Sequence, residues 1–213
     1  DMDFLYNDYM PKHSWAYVLS KKLGYDLINL GAGGFANSSI AKTFYNNVSQ
    51  NDYSNYEQVL VIGLMSSPAR ISFYVNANFL DLNLASISSM NSKEHKVFCS
   101  YFLKNIQPSH SDQCLESLYY LQSIKALCGE KGFDFYYSTA FTSIDDYNES
   151  KINPPLTKIN DSANNLTPQN VSSYRELLDD TEISKCYHPN ELGHIKIANC
   201  MYKELRKRKY KMF

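Results

Sequence analysis

The sequence predicts an α/β domain with a mainly parallel sheet flanked by helices, and three observations predict it. Residues 58–63 (QVLVIG) form a continuous apolar run, the pattern of a strand in a parallel sheet covered on both faces. A second strand-like run, FDFYY at 133–137, follows directly on a long amphipathic segment at 112–131. Helix-period and strand-period segments alternate along the chain with no linker or internal repeat, so residues 1–213 read as a single domain.

Taken in order, residues 13–23 place Trp15, Val18, Leu19 and Leu23 at helical spacing, and Gly24 supplies a stop. Residues 25–30 read as a short buried strand and 31–34 as a tight loop. Asn37 or Ser38 is suited to cap a helix running to about Val48. After the 58–63 strand, residues 74–94 show no clear period. The 112–131 helix carries Leu115, Leu118, Leu121, Ile124 and Leu127 on one face and ends at Gly132. Residues 142–172, rich in Asn, Asp, Ser and Pro, read as a long surface excursion. The last helix, 191–206, turns Ile195, Ile197, Ala198, Met201 and Leu205 inward. A doubly wound sheet usually opens with a strand, so a helix in first place leads us to expect a first strand upstream of Asp1.

Composition narrows the class. Hydrophobic residues make up 44 % of the chain, enough for a core, and the formal net charge of −1 lacks the broad basic footprint of a nucleic-acid binder. Lys203, Arg206, Lys207, Arg208, Lys209 and Lys211 read as a solvated helix end and tail. No apolar run approaches the ~20 residues of a membrane span. The start DMDFLYNDYM has neither the basic residues nor the apolar stretch of a signal peptide. The five cysteines are odd in number and form no C-x-x-C pair. Reduced thiols and a cytoplasmic setting are therefore expected.

The most informative segment is Tyr187-His188-Pro189-Asn190-Glu191-Leu192-Gly193-His194. Pro189 disfavours helical geometry at His188 and suits the first turn of the helix that follows. That places an imidazole at a loop–helix junction. A histidine there is often purely structural, so the residue type alone does not decide its role.

The segment resembles the last signature block of the SGNH (GDSL-type) hydrolases, in which a histidine followed by Pro-Asn and Gly-His precedes the final helix. The glycine block is also similar. Trp15, Leu19 and Leu23-Gly24, then Asn29-Leu30-Gly31-Ala32-Gly33-Gly34, match the family's first helix, second strand and oxyanion-hole glycine. Gly34-Phe35-Ala36-Asn37 and Ser66-Ser67-Pro68-Ala69-Arg70 look like divergent phage and marine-bacterial members.

The resemblance implies a three-layer, flavodoxin-like SGNH fold and a serine esterase acting on an O-acetyl or acyl ester of a carbohydrate or lipid. It implies no cofactor and no metal. His188 would be the general base and Gly34 an oxyanion donor through its N–H. Ser66 or Ser67 would assist, and Asn37 and Arg70 would contact substrate. Three departures accompany the match. Met65 and Ser66 stand where the family has Asn and Asp, and Lys185 stands where it has the aspartate that orients the histidine. Asp179, Asp180 or Glu182 are possible replacements for that aspartate. The Gly-Asp-Ser block with the nucleophile is missing ahead of Trp15 and is expected upstream of Asp1.

Three other readings compete. Residues 31–36 also fit the dinucleotide fingerprint G-x-G-x-x-A, but no acidic residue ends the following strand. A metal site built from His13, His188 and His194 lacks a carboxylate at ligand spacing, and His194 reads as a helix-surface or capping residue. The stronger rival is a catalytically degenerate domain that keeps the fold and binds a glycan or protein, for example within a larger or viral assembly.

Overall fold

The computed structural model describes residues 10–75, 78–83, 93–105, 109–140, 164–168, 171, 173–184 and 188–208. The chain is mixed α/β and divides into two compact units. One comprises Asp1–Asn29 with Asn165–Phe213; the other is Leu30–Asn164. The 142–172 excursion (apart from 164–168 and 171) and Lys185 lie outside the described residues, as does the start of the chain.

In the Leu30–Asn164 unit, α3 (Asn37–Gln50) precedes β1 (Leu60–Met65), then β2 (Arg70–Val75), β3 (Asn78–Asn83), α4 (Lys93–Asn105), α5 (His110–Lys131) and β4 (Asp134–Thr139). β1 and β4 pair in parallel from Leu60↔Asp134 to Met65↔Thr139, as the apolar 58–63 and 133–137 runs predict. On β4, Asn164 meets two further backbone groups: the Tyr137 N–H donates to its carbonyl at 2.9 Å, and its Nδ2 donates to the Phe135 carbonyl at 2.8 Å.

α5 forms because local signals agree. Ser109 and Asp112 build a reciprocal capping box, and Gly132 closes the other end in a left-handed conformation at φ 72°. Its Leu121, Ile124 and Cys128 bury against Ala41, Phe44 and Val48 of α3, Met65 of β1 and Phe135 and Tyr137 of β4. Each such side chain contributes about 1.5–3 kcal/mol by leaving water. β2 and β3 pair antiparallel, Arg70↔Asn83 to Val75↔Asn78. The described strands are thus one parallel pair and one antiparallel pair, and the expected mainly parallel sheet is seen only as the former.

The other unit is built around α7 (Glu191–Lys207). α1 (Met10–His13) and α2 (Trp15–Leu23) pack on it, and α6 (Tyr174–Leu177) and a 3-10 turn (Asp180–Glu182) complete the unit. α2 starts at the Ser14 cap and stops at Gly24, φ 76°. Buried Leu19 and Leu23 of α2 and Ile197, Ala198, Met201 and Leu205 of α7 form its core. Ile195, expected inward, is 36 % exposed.

Residues 25–30 correct a further expectation: they form no strand. Leu27 is 39 % and Ile28 51 % exposed, so these apolar side chains lack the cover that a buried strand needs. Among the described residues no helix is long and apolar enough to cross a membrane.

Candidate functional site

In the Leu30–Asn164 unit, the glycine loop, the start of α3 and the end of β1 meet through one side chain. Asn37 is 3 % exposed. Its Oδ1 accepts the Ser66 N–H at 2.7 Å. Its Nδ2 donates to the Ser66 carbonyl at 3.1 Å and to the Ser117 hydroxyl of α5 at 2.9 Å. Ser117 donates onward to the Gln113 carbonyl at 2.9 Å. Both amide hydrogens are therefore used inside the protein. Asn37, expected with Ser38 as a candidate cap, instead ties α3 and α5 to the peptide just beyond β1, and Ala36 is the N-cap of α3.

The residues around this clamp follow in order. Ser66 is 6 % exposed, and its backbone N–H and carbonyl are both held by Asn37. Ser67 is half-buried; its hydroxyl accepts the Ala69 N–H at 3.3 Å and its carbonyl the Arg70 N–H at 3.1 Å, closing a turn. Arg70 Nη1 donates to the Phe35 carbonyl at 3.4 Å, next to Gly34. Gly34 has φ +87°, a conformation that favours glycine, although a Cβ there would meet nothing within 4 Å. Five of the expected site residues (Gly34, Asn37, Ser66, Ser67 and Arg70) thus belong to one unit, linked by the Asn37 and Arg70 bonds. Met65, where the family keeps an asparagine, is an apolar side chain only 2 % exposed. Ser117 carried no sequence signal, because a serine inside an amphipathic helix reads as neutral.

His188 belongs to the other unit and is exposed. Its carbonyl accepts both the N–H and the hydroxyl of Ser184, at 2.8 and 2.9 Å, and Ile183 bridges Pro189 antiparallel. Asn190, the cap of α7, accepts the Gly193 N–H at 3.1 Å, and its Nδ2 donates to the Thr181 carbonyl at 2.8 Å. Its own N–H donates to the Glu182 carbonyl at 2.9 Å. A Cβ on Gly193 would lie 2.4 Å from that carbonyl oxygen, so only glycine lets α7 approach the turn so closely. The His-Pro-Asn-x-x-Gly spacing is thereby explained as a loop stitched to the 3-10 turn.

Asp179 and Glu182 are engaged in building that turn. Asp179 caps Thr181, whose hydroxyl chiefly holds the Asp179 carboxyl below its ordinary pKa. Glu182 accepts from the Asp179 N–H at 2.9 Å and from Lys196 Nζ at 2.6 Å, which raises the Lys196 pKa. His13 Nδ1 lies 2.9 Å from Glu191 Oε1, so the third histidine pairs with a carboxylate. Of the two roles expected for His194, helix surface or cap, the structure shows the cap. His194 is 9 % exposed, and its Nδ1 accepts the Trp15 N–H at 3.3 Å, capping the first residue of α2. Burial first, then the neighbouring His188, lowers its pKa.

Chemically, one unit offers an exposed imidazole on a fixed backbone, suited to moving a proton. The other offers a positive-φ glycine loop leading into a helix N-terminus, suited to presenting backbone donors to an anion. No protein-family model, curated protein or solved structure matches the chain.

Proposed function

We propose that the chain is an SGNH-type ester hydrolase domain with a three-layer, flavodoxin-like architecture, acting on an O-acetyl or acyl ester of a carbohydrate or lipid. The observation that carries this reading is the Asn37–Ser66 clamp. It fixes the Gly34 loop beside the carboxyl end of a parallel strand, where open α/β sheets bind ligands. In this reading the family's serine attacks the ester carbonyl while His188 takes its proton. The Gly34 N–H, with the half-buried Ser67 hydroxyl, stabilises the oxyanion. His188 then returns the proton to the departing alkoxide, and water releases the acid from the acyl-enzyme.

The test is hydrolysis of p-nitrophenyl acetate by the full-length polypeptide beside His188→Ala. Loss of a general base costs on the order of 10²-fold or more in kcat/KM. Turnover that survives unchanged in His188→Ala overturns the assignment.

A specific observation favours a second reading, a degenerate SGNH-fold binding module. Met65 occupies the family's side-chain donor position as a buried apolar residue, and Asn37 takes up the Ser66 backbone. Under this reading the polypeptide binds an acetylated glycan without hydrolysing it.

A further inference from the structure

The start of α2 depends on a neutral imidazole. A helix leaves its first N–H groups without intrahelical partners. On α2, Ser14 takes the Tyr17 N–H through its hydroxyl at 3.3 Å and the Val18 N–H through its carbonyl at 3.0 Å. The Trp15 N–H goes to His194 Nδ1 at 3.3 Å. Accepting that bond requires a lone pair on Nδ1, so the ring proton sits on Nε2. Nε2 is buried and has no hydrogen-bond partner among the described residues.

We propose that protonation of His194 is a pH-sensitive release for the contact between the first turn of α2 and α7. Three physical effects act in the same direction. A second ring proton on Nδ1 would point at the Trp15 N–H, turning an attraction into donor–donor repulsion. The resulting cation would sit at the positive end of the α2 dipole. It would also be held in a buried position, with Nε2 still lacking an acceptor. The ring therefore takes up a proton only when the contact opens.

Among the described residues, the titratable and charged groups on the surrounding elements do not rescue it. His188, in the loop before α7, adds repulsion when charged. Lys12 and His13 on α1 are basic, and the nearest acid on the same helix, Glu191, is bonded to His13. Glu182 and Lys196 pair with each other.

The sign follows from the buried neutral form. The folded pKa lies below the unfolded value of about 6.5. The contribution of His194 is complete above that value and is lost as pH falls through the folded pKa. Acid thus releases the His194 bond.

Trp15 is the single tryptophan of the chain, so its emission reports on this junction alone. The experiment follows Trp15 emission and far-UV circular dichroism from about pH 7.5 to 4.5, beside histidine ring NMR on the wild type. We expect a reversible emission change with a midpoint below about 6.5 that coincides with the His194 ring titration, while most helical signal persists. In His194→Gln, which offers a neutral acceptor, the emission change should vanish, whereas His13→Gln and His188→Gln should retain it. An unchanged emission titration in His194→Gln overturns the proposal. If that variant does not fold, the wild-type NMR decides: His194 titrating with no response at Trp15, or only with global unfolding, overturns it equally.

Discussion

Asn37 holds Ser66 by both edges of its peptide, accepting its N–H at 2.7 Å and donating to its carbonyl at 3.1 Å. A side-chain amide used this way imitates a neighbouring strand, and it does so just where β1 ends and the ladder would otherwise leave these groups unpaired.

Replacing Asn37 with alanine should therefore cost about 2–4 kcal/mol, because a donor and an acceptor become buried and unsatisfied. Ser117→Ala removes only one arm of the network and should cost about 1 kcal/mol. Urea denaturation of both single variants and the double variant measures the coupling. A loss under about 0.5 kcal/mol for Asn37→Ala would contradict the clamp.

Two glycines give a matched pair of opposite sign. A Cβ at Gly193 meets the Glu182 carbonyl oxygen at 2.4 Å, whereas one at Gly129 meets nothing within 4 Å. Gly193→Ala should destabilise by about 1–3 kcal/mol as α7 is pushed from the 3-10 turn. Gly129→Ala, inside α5, should stabilise by up to about 1 kcal/mol through helix propensity. Equal midpoints for the two variants in thermal unfolding would refute the close approach.

Thiol chemistry should sort by burial. Cys114 and Cys128 are 0 % exposed, and burial pushes the Cys128 thiol up to about 12. Neither should react with iodoacetamide at about pH 8 until the protein unfolds, since the thiolate is the reactive form. Peptide mass spectrometry after timed alkylation reads this directly, and native-state labelling of Cys128 would contradict the packing of α5.

The parts of the fold legible in the sequence are those where several local signals coincide. The α5 helix has its period, the Ser109–Asp112 box and Gly132; β1 has an uninterrupted apolar run, and β4 the aromatic run FDFYY directly after that helix. Residues 25–30 set Leu27, Ile28 and Leu30 among Asp26 and Asn29 and form no strand, which this short run does not announce. The β2–β3 hairpin was missed because the 74–94 window cut β2 short, hiding the alternation in RISFYV.

The candidate site divides similarly. The tight loop at 31–34 was legible because glycines cluster there, and the φ of +87° at Gly34 fits a turn. Asn37 was misread as a cap because local pattern favours that role, while its real partners, Ser66 and Ser117, are distant in sequence. His194 was left open between a surface and a capping role since nothing nearby announces the Trp15 N–H as its donor.

The parallel register of β1 and β4 has a kinetic consequence. Leu60 can meet Asp134 only after the chain holding β2, β3, α4 and α5 has been gathered up, a closure whose entropy is lost before any pairing is gained. The β2–β3 hairpin, by contrast, closes locally. During synthesis the apolar segment LVIGLM of β1 emerges long before its partner and waits as an open edge. That interval, rather than the finished fold, is where this chain is most exposed to pairing with copies of itself, and slow growth or low temperature during expression should raise the yield of native protein.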